Sequence, residues 1–189
     1  MTESRAIPDR PRDRLMRVST RVLAVLLLPV AFLRAPGRAR HLACQWALGL
    51  RYPAENLDGL DPRARRAFEE ARTDAFWQDG QLIGLTSGHR DAAEQHRMFA
   101  EQVRRTGSWA AARRWVLPPE ESSHVRGIAM DVRPTQGAYW LELHGGRYDL
   151  YRTYDNEWWH FEYRPETDGR PPLRMPHPGA EPYHSASRW

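Results

Sequence analysis

The chain has 189 residues, 41% hydrophobic and 28% charged, which is enough for one domain with a proper core and too short for two comfortable ones. All 28 basic residues are arginine, and nine of them lie in residues 1–40 against Glu3, Asp9 and Asp13, a local balance of +6 that leaves −2 on the remainder. A slightly acidic body argues against nucleic-acid binding, which needs a basic face on the folded part, and the lone Cys44 excludes an internal disulfide and a thiolate metal site.

The first feature along the chain is an apolar run of 12 residues, 22–33, preceded by Arg10, Arg12, Arg14, Arg17 and Arg21. It falls short of the roughly 20 residues that cross a bilayer comfortably. A basic tail, a short apolar stretch and small residues after it fit a secretory signal. Arg34, Arg38 and Arg40 flank the far side, and the best small-x-small candidate is Gly37-Arg38-Ala39. An uncleaved membrane anchor through residues 22–33 and a buried N-terminal helix therefore stand as alternatives. Leu42-Ala43-Cys44 partly resembles a lipobox, but His41 occupies the place of the expected aliphatic residue. Residues 1–44 are assigned to export or anchoring, so the protein is expected to be secreted or membrane-anchored.

The folded body is expected over residues 45–164. Asp61-Pro62 reads as an N-cap followed by proline at the first helical position. Ala64, Ala67, Phe68, Ala71 and Ala75 recur at helical spacing before Gly80 closes the element. Residues 82–86 are strand-like. Asp91 and Glu94 form a capping box that opens a helix carrying Phe99 and Val103 inward. Residues 128–132 and 159–163 read as two further strands with a helix over 138–144 between them. Prolines at 165, 171, 172, 176, 178 and 182 mark residues 165–189 as an irregular tail, wrapped on the surface or disordered. Helices and short strands in mixed order predict an α+β domain with a small, mainly antiparallel sheet and flanking helices.

Two segments carry chemistry: Ser122-Ser123-His124-Val125-Arg126-Gly127-Ile128-Ala129-Met130-Asp131 and Glu157-Trp158-Trp159-His160. They supply two imidazoles and two carboxylates near the ends of predicted strands. Catalytic zinc takes three N and O ligands plus a place for water. His124, Asp131 and His160 can fill the three, which leaves Glu157 as a base. Two neutral imidazoles and one carboxylate leave a net charge near +1, which lowers the pKa of the bound water from about 15.7 toward about 7. Gly127 suits a sharp turn between a loop ligand and a strand ligand. Each half of the pattern is weak alone, since a single His is more often structural. His41, His89, His96, His144, His177 and His184 are read as structural or surface residues. A serine nucleophile at Ser122 or Ser123 lacks the Gly-x-Ser-x-Gly elbow.

Ser122-x-His124-x-x-Gly127-x-Ala129-x-Asp131 followed by Glu157-x-x-His160 resembles the two signatures of the VanY-like zinc D-alanyl-D-alanine carboxypeptidases. That family shares its fold with the VanX-type D,D-dipeptidases and the hedgehog zinc domain. Ser87-Gly88-His89-Arg90, with Gln95 and Phe99 after it, is similar to the family's Ser-Gly-Tyr-Arg block, with His89 in place of the usual aromatic. The resemblance covers about residues 58–164, with the three blocks in the family's order. It implies one zinc ion on His124, Asp131 and His160, Glu157 as general base and then acid, and Arg90 on the substrate's terminal carboxylate. Ser122, Gln95 and Trp158 would contact the peptide. The implied partner is a peptidoglycan stem peptide ending in D-Ala-D-Ala. Arg90 also stands just before the Asp91 cap, where a helix N-terminus already favours an anion. A D-Ala-D-Ala dipeptidase, a stem-peptide endopeptidase and a zinc-stabilised module that binds wall peptides without cutting remain alternatives. Export favours the carboxypeptidase over the dipeptidase, and Glu157 favours an enzyme over a binding module.

Overall fold

The protein was analysed as a computed structural model that describes residues 10–180 apart from residue 168. Four strands form one antiparallel sheet in the order β1-β2-β4-β3: β1 Gly84–Ser87, β2 Ala129–Arg133, β3 Leu150–Arg152 and β4 His160–Tyr163. Among the described residues six α-helices accompany it: α1 Pro11–Arg34, α2 Ala39–Arg51, α3 Pro62–Asp79, α4 Ala92–Thr106, α5 Trp109–Arg113 and α6 Thr135–His144. This is the α+β architecture expected from the sequence. The strand over 150–152 and the short α5 are additional to the elements read there.

Helix α3 shows how local chemistry sets an element. Asp61 Oδ1 accepts from the backbone N–H of Arg63 and Ala64 at 2.8 and 3.2 Å, and Pro62 sits where its missing N–H costs nothing. At the other end Gly80 takes the left-handed conformation, φ 63°. Between them the predicted stripe of Ala64, Ala67, Phe68, Ala71 and Ala75 is buried. Phe68 meets Leu85, Met130, Val132, Leu141 and Phe161 in the main core, so α3 and α6 cover the apolar side of the sheet.

A second cluster joins Ala24 of α1 and Cys44, Ala47 and Leu48 of α2 to Phe76 of α3. The apolar run at 22–33 thus forms part of a helix of 24 residues. That helix is about 36 Å long at 1.5 Å per residue, long enough to cross a bilayer. The element outgrows the apolar run because the flanking arginines are themselves good helix formers. Its outer face leaves Val22, Leu26, Val30 and Leu33 at least half exposed. Helix α2 runs across position 44 without a break, and Cys44 is buried against α3, which pushes its thiol up to about 12.

Polar groups fasten the two clusters. Arg72, buried in α3, pairs with Glu55 Oε2 at 2.8 Å and donates to Gln45 Oε1 of α2 at 2.6 Å. The other Glu55 oxygen accepts the Leu85 backbone N–H at 2.6 Å. One buried ion pair therefore ties α2, α3 and the first strand. The proline-rich segment wraps on the body as far as it is described. Met175 pairs with Tyr154 in a parallel bridge, and its backbone exchanges hydrogen bonds with Thr153 and Asp155 at 2.9 and 2.8 Å. Pro182 and His184 lie outside the described residues.

Candidate metal centre and active site

The register between β2 and β4 places Asp131 directly opposite His160. Facing residues on one side of an antiparallel pair bring their side chains together, and Asp131 Oδ1 lies 3.0 Å from His160 Nδ1. The third member comes from the turn ahead of β2. There the Gly127 N–H bonds to the His124 carbonyl at 3.0 Å and the Ile128 N–H to Ser123 at 3.1 Å. Gly127 carries φ 72°, and a Cβ on it would come within 2.6 Å of the Gly59 carbonyl oxygen, so only glycine lets the turn close against that loop. The turn delivers His124 Nε2 to 3.4 Å from the same Asp131 oxygen. One ligand atom from each of His124, Asp131 and His160 lies within 4.8 Å of the other two.

The far nitrogen of each imidazole also has an acceptor. His124 Nδ1 faces the Gly88 carbonyl at 2.7 Å, and His160 Nε2 faces Glu162 Oε1 at 3.1 Å. Burial alone would raise the Asp131 carboxyl, but hydrogen bonds with His124 and His160 outweigh it and hold Asp131 well below the usual carboxylate range. Burial alone would lower His160, but Asp131 and Glu162 outweigh it and hold the ring at about 10.

Glu157 stands beside this cluster without joining it. It begins the turn that leads into β4, the His160 N–H bonding back to its carbonyl at 3.3 Å, and its Oε2 lies 3.7 Å from His160 Nδ1. Burial, reinforced by the nearby Asp131 and Glu162, pushes the Glu157 carboxyl up to about 7 against the opposing pull of His160 and Arg90.

A cavity of about 160 Å³ opens over these groups and is lined also by Arg90, Gln95, Ser122, Tyr154 and Trp159. The backbone N–H of Arg90 bonds to the His124 carbonyl at 3.2 Å, which joins the Ser87–Arg90 block to the ligand turn. The Asp91 carboxylate, accepting from the Glu94 N–H at 2.8 Å, starts α4 directly after it. Arg90 donates to Gln95 Oε1 at 2.6 Å and to Ser87 Oγ at 3.0 Å. His89, the departure from the expected aromatic, packs its ring against Gly59, where a Cβ would lie 2.4 Å from it.

The structure brings His124, Asp131, His160, Glu157, Arg90, Ser122 and Gln95 to one cavity. Gln95 Oε1 accepts from Arg90 and its Nε2 donates to the Leu117 carbonyl at 2.6 Å, so the amide braces Arg90 at the cavity edge. Trp158 is 40% exposed and outside the lining, whereas Trp159, stacked edge-on against it at 5.5 Å, is part of the wall. The reason is that residues 157–159 form a turn, where the alternation of strand side chains does not hold. Sequence reasoning missed Tyr154 and Glu162. Tyr154 carries no sequence signal, but Glu162 does: it is two residues from His160 in a strand, hence on the same face.

The profile of the VanY family, described as D-alanyl-D-alanine carboxypeptidase, matches residues 58–166. No curated protein sequence matches the chain. Among solved structures, a mutant of the vancomycin resistance D,D-pentapeptidase VanY in complex with Zn(II) is similar at 26% identity and a TM-score of 0.50, covering 58% of this chain and 76% of that one. VanYB in complex with D-alanine-D-alanine aligns at 25% identity and a TM-score of 0.49, covering 55% and 71%. The LdcB LD-carboxypeptidase aligns at 24% identity and a TM-score of 0.48, covering 55% and 58%. By the extent of the profile match and the fold it shares with the zinc-bound VanY structure, the chain belongs to the VanY family of D-alanyl-D-alanine carboxypeptidases.

Proposed function

We propose that the protein is an exported zinc D,D-carboxypeptidase that removes the terminal D-alanine from peptidoglycan stem peptides. The observation that carries this reading is the convergence of His124, Asp131 and His160, with the buried carboxylate of Glu157 beside them and Arg90 on the same cavity. Two imidazoles and one carboxylate are the donor set of a catalytic zinc site, which keeps a position for water. Acceptors already in place for the outer ring nitrogens are what such ligands require. The residues fit zinc, and similarity to a VanY structure holding Zn(II) supports the assignment. When bound, the ion polarises the scissile carbonyl and eases deprotonation of the attacking water.

The protein's own groups do the rest. Glu157 takes the proton of the attacking water and delivers it to the leaving nitrogen as the C–N bond breaks, giving free D-alanine and a shortened peptide. A carboxyl pushed up to about 7 suits both halves of that shuttle. Arg90, already oriented by Gln95 and Ser87, has remaining N–H donors for the substrate's C-terminal carboxylate, a planar pairing that registers the cut from the chain end. Ser122 at the cavity wall hydrogen-bonds the peptide, and Trp159 forms its aromatic wall, with the exposed Trp158 packed edge-on against it outside the lining. Export rests on the basic, apolar N-terminal segment, and α1 gives that segment the length to remain as an anchor. Incubation with free D-Ala-D-Ala and, separately, with an N-acylated tripeptide ending in D-Ala-D-Ala tests the substrate class. Cleavage of the tripeptide supports the proposal, and cleavage of the free dipeptide alone replaces it with a dipeptidase.

A further inference from the structure

The two imidazoles at the centre are held in opposite ways. His124 has its Nδ1 against a backbone carbonyl, that of Gly88 at 2.7 Å, and turns Nε2 toward Asp131. His160 has Nε2 against Glu162 Oε1 at 3.1 Å and turns Nδ1 toward Asp131. A carbonyl is a neutral acceptor fixed by the main chain. A carboxylate is charged, and Glu162 is fully buried, where an unpaired charge is strongly disfavoured.

The surroundings compensate that charge on every side. Arg164 Nε donates to Glu162 Oε2 at 2.9 Å, and its Nη2 reaches the same oxygen. The Tyr154 hydroxyl lies 3.4 Å from Oε1, and its ring stacks on His160 with centroids 5.0 Å apart. Residues 160, 162 and 164 alternate along one strand and its continuation, so ligand, carboxylate and guanidinium share one face. The Arg164 backbone N–H is itself tied to the Asp149 carbonyl at 2.7 Å. An ion pair serving only the core could be replaced by apolar groups of similar volume at little cost. This one ends on the ring nitrogen that dictates which face of His160 meets the site.

The geometry points to Glu162 as a positioning residue: by accepting the Nε2–H of His160, with Arg164 holding it in place, it presents Nδ1 to the metal and strengthens that nitrogen as a donor. The inference rests on His160 being a zinc ligand, as proposed above. Outer partners of this kind contribute about 10–100-fold to metal affinity. The test uses the full chain and measures zinc affinity by competition with a chelating dye at fixed pH, with circular dichroism to verify folding. Glu162→Gln keeps an acceptor but loses the charge, and is expected to weaken zinc binding at least tenfold, while excess zinc restores turnover with KM unchanged. An affinity within threefold of wild type in a folded Glu162→Gln protein overturns the inference. Nitrogen-15 NMR of the zinc-loaded wild type needs no variant to fold: a protonated Nε2 and a metal-bound Nδ1 on His160 support the assignment, and the opposite tautomer overturns it. A wild-type chain that takes up no zinc overturns both the ligand reading and this one.

Discussion

Replacing Glu157 with Gln separates the groups that would bind the metal from the group that would move the proton. The substitution keeps size and shape but cannot accept a proton. Removal of a general base typically costs about 10²–10⁴ in rate, or about 3–5 kcal/mol of transition-state stabilisation. Zinc content is expected to stay at the wild-type level, because Glu157 is not one of the three convergent ligands. Burial makes a further demand, visible in the chelator-treated protein. The folded state holds the Glu157 proton up to about pH 7, against about 4.5 for the ordinary carboxyl. Raising pH through that window therefore removes stability from the wild type, because the folded state there binds more protons than the unfolded chain. The difference corresponds to about 3 kcal/mol. Glutamine does not titrate, so the metal-free variant is expected to be near parity at pH 4 and more stable by up to about 3 kcal/mol at pH 8. Turnover of an acylated tripeptide, bound zinc and urea unfolding at the two pH values measure all three effects. Wild-type turnover in the zinc-loaded variant refutes the role of Glu157 in proton transfer, and equal stability at pH 8 refutes the burial argument.

Other perturbations probe the remaining groups. Arg90→Ala is expected to raise KM for peptides with a free C-terminus by about 10–100-fold, the worth of charge-assisted hydrogen bonds to a carboxylate, and to leave C-terminally amidated peptides unaffected; equal losses on both would remove Arg90 from carboxylate recognition. Arg72→Met leaves Glu55 buried without its partner and is expected to cost about 3–5 kcal/mol in urea unfolding, part of which the double variant with Glu55→Gln recovers. Intact mass of the mature protein from cell envelopes decides the fate of α1: loss of a segment ending near residue 39 identifies a cleaved signal, and full mass in the membrane fraction identifies an anchor.

Much of this molecule is legible in the sequence because local rules and fold agree. Asp61, Pro62 and Gly80 bracket α3 through cap chemistry that needs no tertiary partner, and the apolar runs at 128–132 and 159–163 locate β2 and β4 to within a residue or two. Residue types make His124, Asp131 and His160 candidate ligands, and it is the resemblance of the two segments to the VanY signatures that groups them. The reason they meet is not legible there, since cross-strand register between Asp131 and His160 is a tertiary fact. Strand β3 has three residues and no alternation to read, and α5 has five. The Gln95 amide depends on a loop carbonyl 22 residues away, which no local pattern announces. Glu162 could have been found from its two-residue offset to His160, but a charged residue in a half-buried strand is ordinarily placed on the solvent face. Its charge is acceptable inside because His160 and Arg164 both pair with it.

The central claim is that a zinc ion held by His124, Asp131 and His160 drives release of the C-terminal residue. Mass spectrometry of a purified stem pentapeptide ending in D-Ala-D-Ala tests it most directly, with the protein as purified, after chelation, and after zinc is restored. The account predicts loss of a single alanine, abolished by the chelator and recovered with zinc. A pentapeptide left intact by zinc-loaded protein, or cleavage indifferent to chelation, would contradict it.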